Sequence, residues 1–221
     1  IHSVDNAFVR VLYADHEKNI WVGTNTGLQL HVPLRNSVRY FRLQENVPPA
    51  VSNEIIAAAE DKNTGLVYLA TYNNGVWAWN QKTNEVTPVH TLSSAETGLV
   101  ETMFYSRNLI FLCSHKGILI YAPEIDFSYL CYKHIPSVII DHDVQNDSLV
   151  FLYTTMGNAW ELNTKSGGLN PIVTGIPDQD TLLAQTRKIL LLDKDRMLVG
   201  TYRHGLLMLD RHRKKILWQI D

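Results

Sequence analysis

The chain has 221 residues, 45% of them hydrophobic, and its 20 basic and 22 acidic side chains leave a formal charge of -2. That length and apolar content suit one large globular domain or two small ones, and the interspersed charge offers no basic stripe for a phosphate backbone, so no nucleic acid partner is expected. The longest apolar runs, such as Leu109 to Cys113 and Ile189 to Leu192, fall well short of the roughly 18 residues a spanning helix needs, so no membrane contact is expected of this segment. The chain starts at Ile1 without a charged-then-apolar leader, as expected of a piece of a longer protein.

In chain order, one pattern recurs five times: an apolar strand, a polar turn, a second apolar strand ending near Thr or Ser, a short loop, then Gly followed by aliphatic or aromatic residues. The first unit places strand a at Phe8 to Asp15, b at Asn19 to Thr24, c at Gly27 to Val32 and d at Val38 to Leu43. The second places them at Glu54 to Asp61, Leu66 to Thr71, Gly75 to Asn80 and Glu85 to Val89, and the third at Leu99 to Tyr105, Leu109 to Ser114, Gly117 to Tyr121 and Ser128 to Lys133. The fourth runs Ser137 to Asp141, Ser148 to Thr154, Gly157 to Leu162 and Leu169 to Val173; the fifth runs Thr186 to Leu192, Met197 to Thr201, Gly205 to Leu209 and Lys215 to Ile220.

The anchoring glycines, Gly27, Gly75, Gly117, Gly157 and Gly205, stand 40 to 48 residues apart, the period of a four-stranded propeller blade. Several strands are apolar on both faces, as in Leu109-Ile110-Phe111-Leu112 and Leu206-Leu207-Met208-Leu209. A sheet covered on both sides demands that, and radially stacked blades supply the covering. The expected fold is therefore an all-β β-propeller with five four-stranded blades, at about 8–43, 54–89, 99–133, 137–173 and 186–220, within a single partial domain of residues 1–221.

The stretch Asn19-Ile20-Trp21-Val22-Gly23-Thr24-Asn25-Thr26-Gly27-Leu28, preceded by Val11-Leu12-Tyr13-Ala14-Asp15, closely resembles the repeat of the two-component regulator propellers. Further copies stand at Tyr68-Leu69-Ala70-Thr71-Tyr72-Asn73-Asn74-Gly75-Val76 and at Met197-Leu198-Val199-Gly200-Thr201-Tyr202-Arg203-His204-Gly205-Leu206; the third and fourth units keep only the Ser/Thr and the Gly. The resemblance implies the periplasmic sensor region of a hybrid two-component system of Bacteroidetes type, anchored in the inner membrane. The five units would then be an arc of a seven-bladed propeller, with the remaining blades, a histidine kinase and the other signalling domains elsewhere in the parent chain, and with homodimerisation of the parent protein. A self-contained five-bladed ring is the alternative.

Carboxylates recur near the end of strand a: Asp15 and Glu17, Glu60 and Asp61, Asp141 and Asp143, Asp193 and Asp195. A hydrolase would pair two of them, but recurrence at one position favours turn residues that bond local backbone. Asp141-His142-Asp143 with Asp147 is spaced somewhat like a calcium loop yet lacks its central Gly and distal Glu. No catalytic residues, no metal and no cofactor are expected. Cys113 and Cys131 lie two strands apart, too far for a disulfide, and are expected as free, buried thiols. Trp21, Trp77, Trp79, Trp160 and Trp218 fall within strands and are expected to fill blade interfaces.

The b to c loops share one rim of a propeller with the d to a connections. Their variable residues are Asn25 and Thr26, Tyr72, Asn73 and Asn74, His115 and Lys116, Thr155, and Tyr202, Arg203 and His204. Aromatic faces mixed with planar donors suit sugars, and Lys116, Arg203 and His204 favour an acidic or sulfated one. The ligand-binding set is therefore Tyr72, Asn73, Asn74, His115, Lys116, Tyr202, Arg203 and His204. The leading expectation is an extracytoplasmic sensor of oligosaccharides that relays to the kinase; the alternative is a structural or protein-binding scaffold without its own ligand site.

Overall fold

The computed structural model describes residues 8–15, 18–25, 27–32, 37–41, 43, 51–132, 135 and 137–220. All its strands lie in five four-stranded antiparallel sheets, the all-β blade architecture that the repeat implies. The chain divides into two compact units, Ile1–His134 and Ile135–Asp221.

In the first unit, β1 (Val9–Ala14), β2 (Ile20–Thr24), β3 (Gly27–Val32) and β4 (Ser37–Phe41) form one meander. A second contains β5 (Ile55–Asp61), β6 (Leu66–Thr71), β7 (Val76–Asn80) and β8 (Glu85–Pro88). A third, after the short helix α1 (Ser94–Thr97), contains β9 (Val100–Ser106), β10 (Leu109–Ser114), β11 (Gly117–Ala122) and β12 (Phe127–Tyr132).

The middle sheet shows why its strands are apolar throughout. Alternate residues of a strand point to opposite faces. Val67, Leu69, Trp77 and Trp79 pack on Trp21, Leu28 and Leu30 of the first sheet. Tyr68, Ala70 and Val76 pack on Val100, Met103, Ile110 and Leu112 of the third. Trp21 and Trp79 meet with ring centroids 4.0 Å apart at 59°; truncating either to Ala removes about 3–5 kcal/mol of packing. A polar tie joins the same two sheets, because Tyr13 donates its hydroxyl to Glu60 Oε2 over 2.5 Å.

The second unit holds β13 (Ile139–Asn146), β14 (Leu149–Thr154), β15 (Ala159–Asn163) and β16 (Gly168–Pro171) in one sheet. Helix α2 (Pro177–Leu183) then leads to β17 (Thr186–Leu191), β18 (Arg196–Thr201), β19 (Leu206–Asp210) and β20 (Lys215–Ile220) in the other. Phe151, Tyr153 and Ala159 of the first sheet pack on Ile189, Met197, Val199, Leu207 and Leu209 of the second. No helix among the described residues is long and apolar enough to cross a membrane.

Three expectations need correction. Strand β13 continues to Asn146, so Asp141 and Asp143 lie inside a strand rather than at its end. The turn comes later, where Asn146 Oδ1 accepts the Ser148 and Leu149 N–H groups, and bulges at both ends of β13 absorb the extra residues. Trp21, Trp77 and Trp79 are buried as expected, but Trp218 is 38% exposed. Cys113 is buried and Cys131 is exposed, both unpaired. Cys131 lies on the outermost strand of its sheet, where Phe127, Tyr129 and Cys131 form the outward row. Cys113 faces Ile118, which in turn faces Tyr132, keeping the two cysteines two strands apart.

Two predictions follow from this packing. Gly75 has φ +69°, and a Cβ there would lie 2.7 Å from the Leu92 carbonyl oxygen. Gly75→Ala therefore lowers the unfolding free energy by about 1–3 kcal/mol, read from the urea midpoint; an unchanged midpoint refutes the turn assignment. Burial pushes the Cys113 thiol up to about 12, and the thiolate is the reactive form. Iodoacetamide should add one group to the native chain, at Cys131, and labelling of Cys113 without denaturant would contradict its burial.

Candidate functional site: the rim of b to c loops

Four of the five b to c loops are pinned beside the segment that enters strand a of their own sheet. Asn25 donates its N–H to the Phe8 carbonyl, Tyr72 to Glu54, Thr155 to Val138 and Tyr202 to Gln185, at 2.9 to 3.2 Å. A second set of bonds closes the loops from within. The hydroxyls of Thr71 and Thr201 donate to the carbonyls of Gly75 and Gly205 at 2.8 and 3.1 Å. The same oxygens accept the N–H groups of Asn74 and His204 at 2.8 Å each. The loops are thus held at both ends by backbone geometry, and their side chains are left to vary.

In the first unit, Tyr72 is 51% exposed. Asn73 uses its Oδ1 to accept the Ser52 N–H at 2.8 Å. The Asn74 carbonyl accepts the Trp77 indole N–H at 3.1 Å, while its own Nδ2 is buried with no hydrogen-bond partner among the described residues.

His115 and Lys116 are engaged differently. The His115 ring lies against Gly98, where a Cβ would come within 2.4 Å of its Cε1. Lys116 Nζ donates to the carbonyls of Ala95 and Glu96 in α1, a favourable place for a cation because helix carbonyls there lack N–H partners. These two residues brace α1 against the loop.

In the second unit, Tyr202 is 66% exposed, and the Arg187 guanidinium lies 5.2 Å from its ring centroid. Arg203 beside it is exposed and makes no ion pair among the described residues. Sequence reasoning did not include Arg187; its only sequence signal is the Arg187-Lys188 pair opening an otherwise apolar strand. Asn25 Oδ1 accepts the Phe8 N–H and Thr155 Oγ1 lies 2.8 Å from Ser137 Oγ, while Thr26 lies outside the described residues. Tyr72, Asn73, Asn74, His115 and Lys116 therefore belong to one unit, and Tyr202, Arg203 and His204 to the other.

The recurring carboxylates close turns. Asp15 accepts from the Asn19 backbone and from the Trp21 indole, Asp61 from Asn63 and Thr64, and Asp193 from Asp195 and Arg196. Bonds from Arg196 hold the Asp193 carboxyl below the usual carboxylate range. Asp141 and Asp143 instead share Lys188, at 2.9 and 3.0 Å. Asp143 also accepts the Tyr153 hydroxyl at 2.6 Å, whose oxygen in turn accepts the Ile189 N–H. The pair and its cation join β13, β14 and β17. Among the described residues no group of His, Cys, Asp and Glu is placed to hold a metal.

Repeated four-stranded sheets, stacked through two-faced strands and turned by a Thr-to-Gly loop, define a β-propeller repeat protein. The two component regulator propeller family matches residues 3–26. Among solved structures, the chain is similar to the extracellular domain of a one component system of B. thetaiotaomicron, with TM-score 0.70 and 14% identity over 96% of this chain and 30% of that one. It is also similar to the extracellular domain of a hybrid two component system of the same organism, with TM-score 0.61 and 15% identity over 99% of this chain and 36% of that one. The WD40 β-propeller domain of Doa1 gives TM-score 0.65 and 10% identity over 97% of this chain and 69% of that one. These likenesses show the fold, and the chain spans about a third of the length of the two B. thetaiotaomicron domains. No curated protein sequence matches it.

His142, between Asp141 and Asp143, yields a pH prediction. Burial pushes its pKa below the ordinary histidine value, outweighing the two neighbouring carboxylates that favour the charged ring, and Lys188 adds to the lowering. The unfolded chain protonates this imidazole more readily than the folded one, so the stability it contributes is full above about pH 6.5 and is lost as pH falls below that. Melting temperature should therefore drop more for the parent chain than for His142→Asn between about pH 7.5 and about pH 5.5; equal drops would contradict a buried neutral ring.

Proposed function

We propose that this chain is part of the extracytoplasmic, ligand-sensing propeller of a hybrid two-component signalling protein. It detects an oligosaccharide in the periplasm and relays occupancy to a histidine kinase outside this chain. The observation that carries this reading is the rim. On loops fixed by backbone bonds, one unit presents the exposed ring of Tyr72 and the other the exposed ring of Tyr202, followed by Arg203, which makes no ion pair among the described residues. Sugars present apolar C–H faces and many hydroxyls, which stacking rings and planar donors recognise. The family match at residues 3–26 and the shared fold with extracellular domains support placing this rim outside the cytoplasm.

A second reading is a scaffold that presents a surface to other blades or to a second copy of the parent protein. It is favoured by the open face of the last sheet, where Leu190, Leu198, Met208 and Trp218 stand directly opposite one another across four strands. Leu190 and Trp218 are 58% and 38% exposed, an apolar row of the kind that neighbouring blades cover. On this reading the five sheets are an arc of a seven-bladed ring, completed by blades of the parent chain.

Isothermal titration of the intact extracytoplasmic region against a panel of oligosaccharides separates the two. Sensing at this rim predicts that one glycan class binds and that replacing Tyr72, Arg203 and His204 together with Ala weakens it at least about tenfold, the effect of losing central contacts. Undiminished binding by the triple variant would remove these loops from ligand recognition, and silence across a broad panel would overturn the sensing proposal.

A further inference from the structure

The second unit contains a groove of about 400 Å³ that none of the rim residues touches. It exists because β16 is only four residues long and ends at Pro171, which has no N–H to extend the ladder. Ile172 still bonds back to the Ala159 carbonyl at 2.9 Å, but beyond it the chain leaves the sheet for α2. The outer edge of one blade therefore stops short, and a crevice opens towards the next. Its apolar surfaces come from Pro171, Ile172 and Val173, with Met197 and Leu209 buried behind them.

Its polar side is cationic. Lys194 comes from the turn between β17 and β18, and Arg211 and Lys214 from the turn between β19 and β20. The two turns are locked together, because the Arg211 N–H donates to the Asp195 carbonyl at 2.8 Å and Arg211 Nη1 donates to the Lys194 carbonyl at 3.0 Å. Glu161 in the floor takes Arg211 Nη2 at 2.6 Å, and this bond orients the guanidinium with three of its five N–H groups still available. His212 at the mouth is paired with Asp195 at 2.7 Å. Neither Lys194 nor Lys214 makes a side-chain hydrogen bond or ion pair among the described residues. Arg211, paired with Glu161, and the two lysines line one crevice, so its lining carries more positive than negative charge.

We propose that this groove binds an organic carboxylate: an acidic group held by Arg211, Lys194 and Lys214, carried on a body with an apolar face that rests on Pro171, Ile172 and Val173. A guanidinium fixed by a floor carboxylate is pre-organised for planar carboxylate recognition. The volume is of the size that takes small-molecule ligands. The site is separate from the rim of b to c loops and holds whether or not that rim binds sugar. The body of the ligand has two sources, a hydroxylated sugar ring as in a uronic acid, or a plain hydrocarbon ring.

The test titrates the full chain, at low ionic strength, with glucuronate, cyclohexanecarboxylate and glucose. Binding of at least one carboxylate, none of glucose, and at least about a tenfold loss in the Lys194→Gln/Lys214→Gln double variant would support the site; the tighter of the two carboxylates identifies the body. Both lysines are exposed and unpaired, so the double variant should keep the parent melting temperature. Equal binding by the double variant, equal binding of glucose, or no binding of either carboxylate up to about 20 mM, a concentration that still detects millimolar affinity, would overturn the proposal. Retention of carboxylate binding in the Tyr72, Arg203 and His204 variant separates this site from the rim.

Discussion

A threonine hydroxyl at the end of the second strand in four of the five sheets, bonded to a carbonyl across the loop, is the constraint from which the rest of the architecture follows. Thr24, Thr71, Thr154 and Thr201 all make this bond, to Gly27, Gly75, Asn158 and Gly205. In the third sheet Ser114 contributes differently, accepting the Lys116 N–H. Fixing the loop at three or four residues sets the register of strand c against strand b, and register decides which face every side chain takes. The two-faced packing of Val67 and Leu69 against one neighbour and Tyr68 and Ala70 against the other depends on it. A one-residue slip would exchange those faces.

The same constraint explains which residues repeat and which do not. Thr, Gly and the strand-end Asp repeat because each closes a turn through its own backbone bonds, as Asp15, Asp61 and Asp193 do. Within the loop interior, Asn25 and Asn73 also accept a backbone N–H from the segment entering strand a, while the neighbouring positions vary. Tyr72-Asn73-Asn74 and Tyr202-Arg203-His204 occupy equivalent loops with different chemistry, while His115 and Lys116 have been drawn into bracing α1. Specific recognition, in the proposed reading, belongs to the residues the scaffold leaves free.

Much of the fold was legible because blade strands carry a strong local signal. Leu66–Thr71 and Leu109–Ser114 are short, apolar on both faces and bounded by turn residues, so their ends are set by local chemistry. The misreadings arose where local chemistry is ambiguous. Asp141-His142-Asp143 looks like a turn, and only the bulges and the Lys188 partner 45 positions away keep it in a strand. In the fourth sheet, the carbonyl equivalent to that of Gly75 belongs to Asn158, and Gly157 supplies the positive φ one position earlier. Cys131 was misplaced because an outer strand alternates even where its residues are largely apolar. The roles of Lys116 and the cationic groove were hidden altogether, since each is assembled from segments distant in sequence.

Hydrogen–deuterium exchange on the full chain, with and without the oligosaccharide of the proposed function, bears most directly on the division between scaffold and loops. The account predicts added protection at the loop amides of 72–74 and 202–204, with the strand cores unchanged because they are already protected. Protection confined to the strands, or none at these loops despite binding, would contradict it.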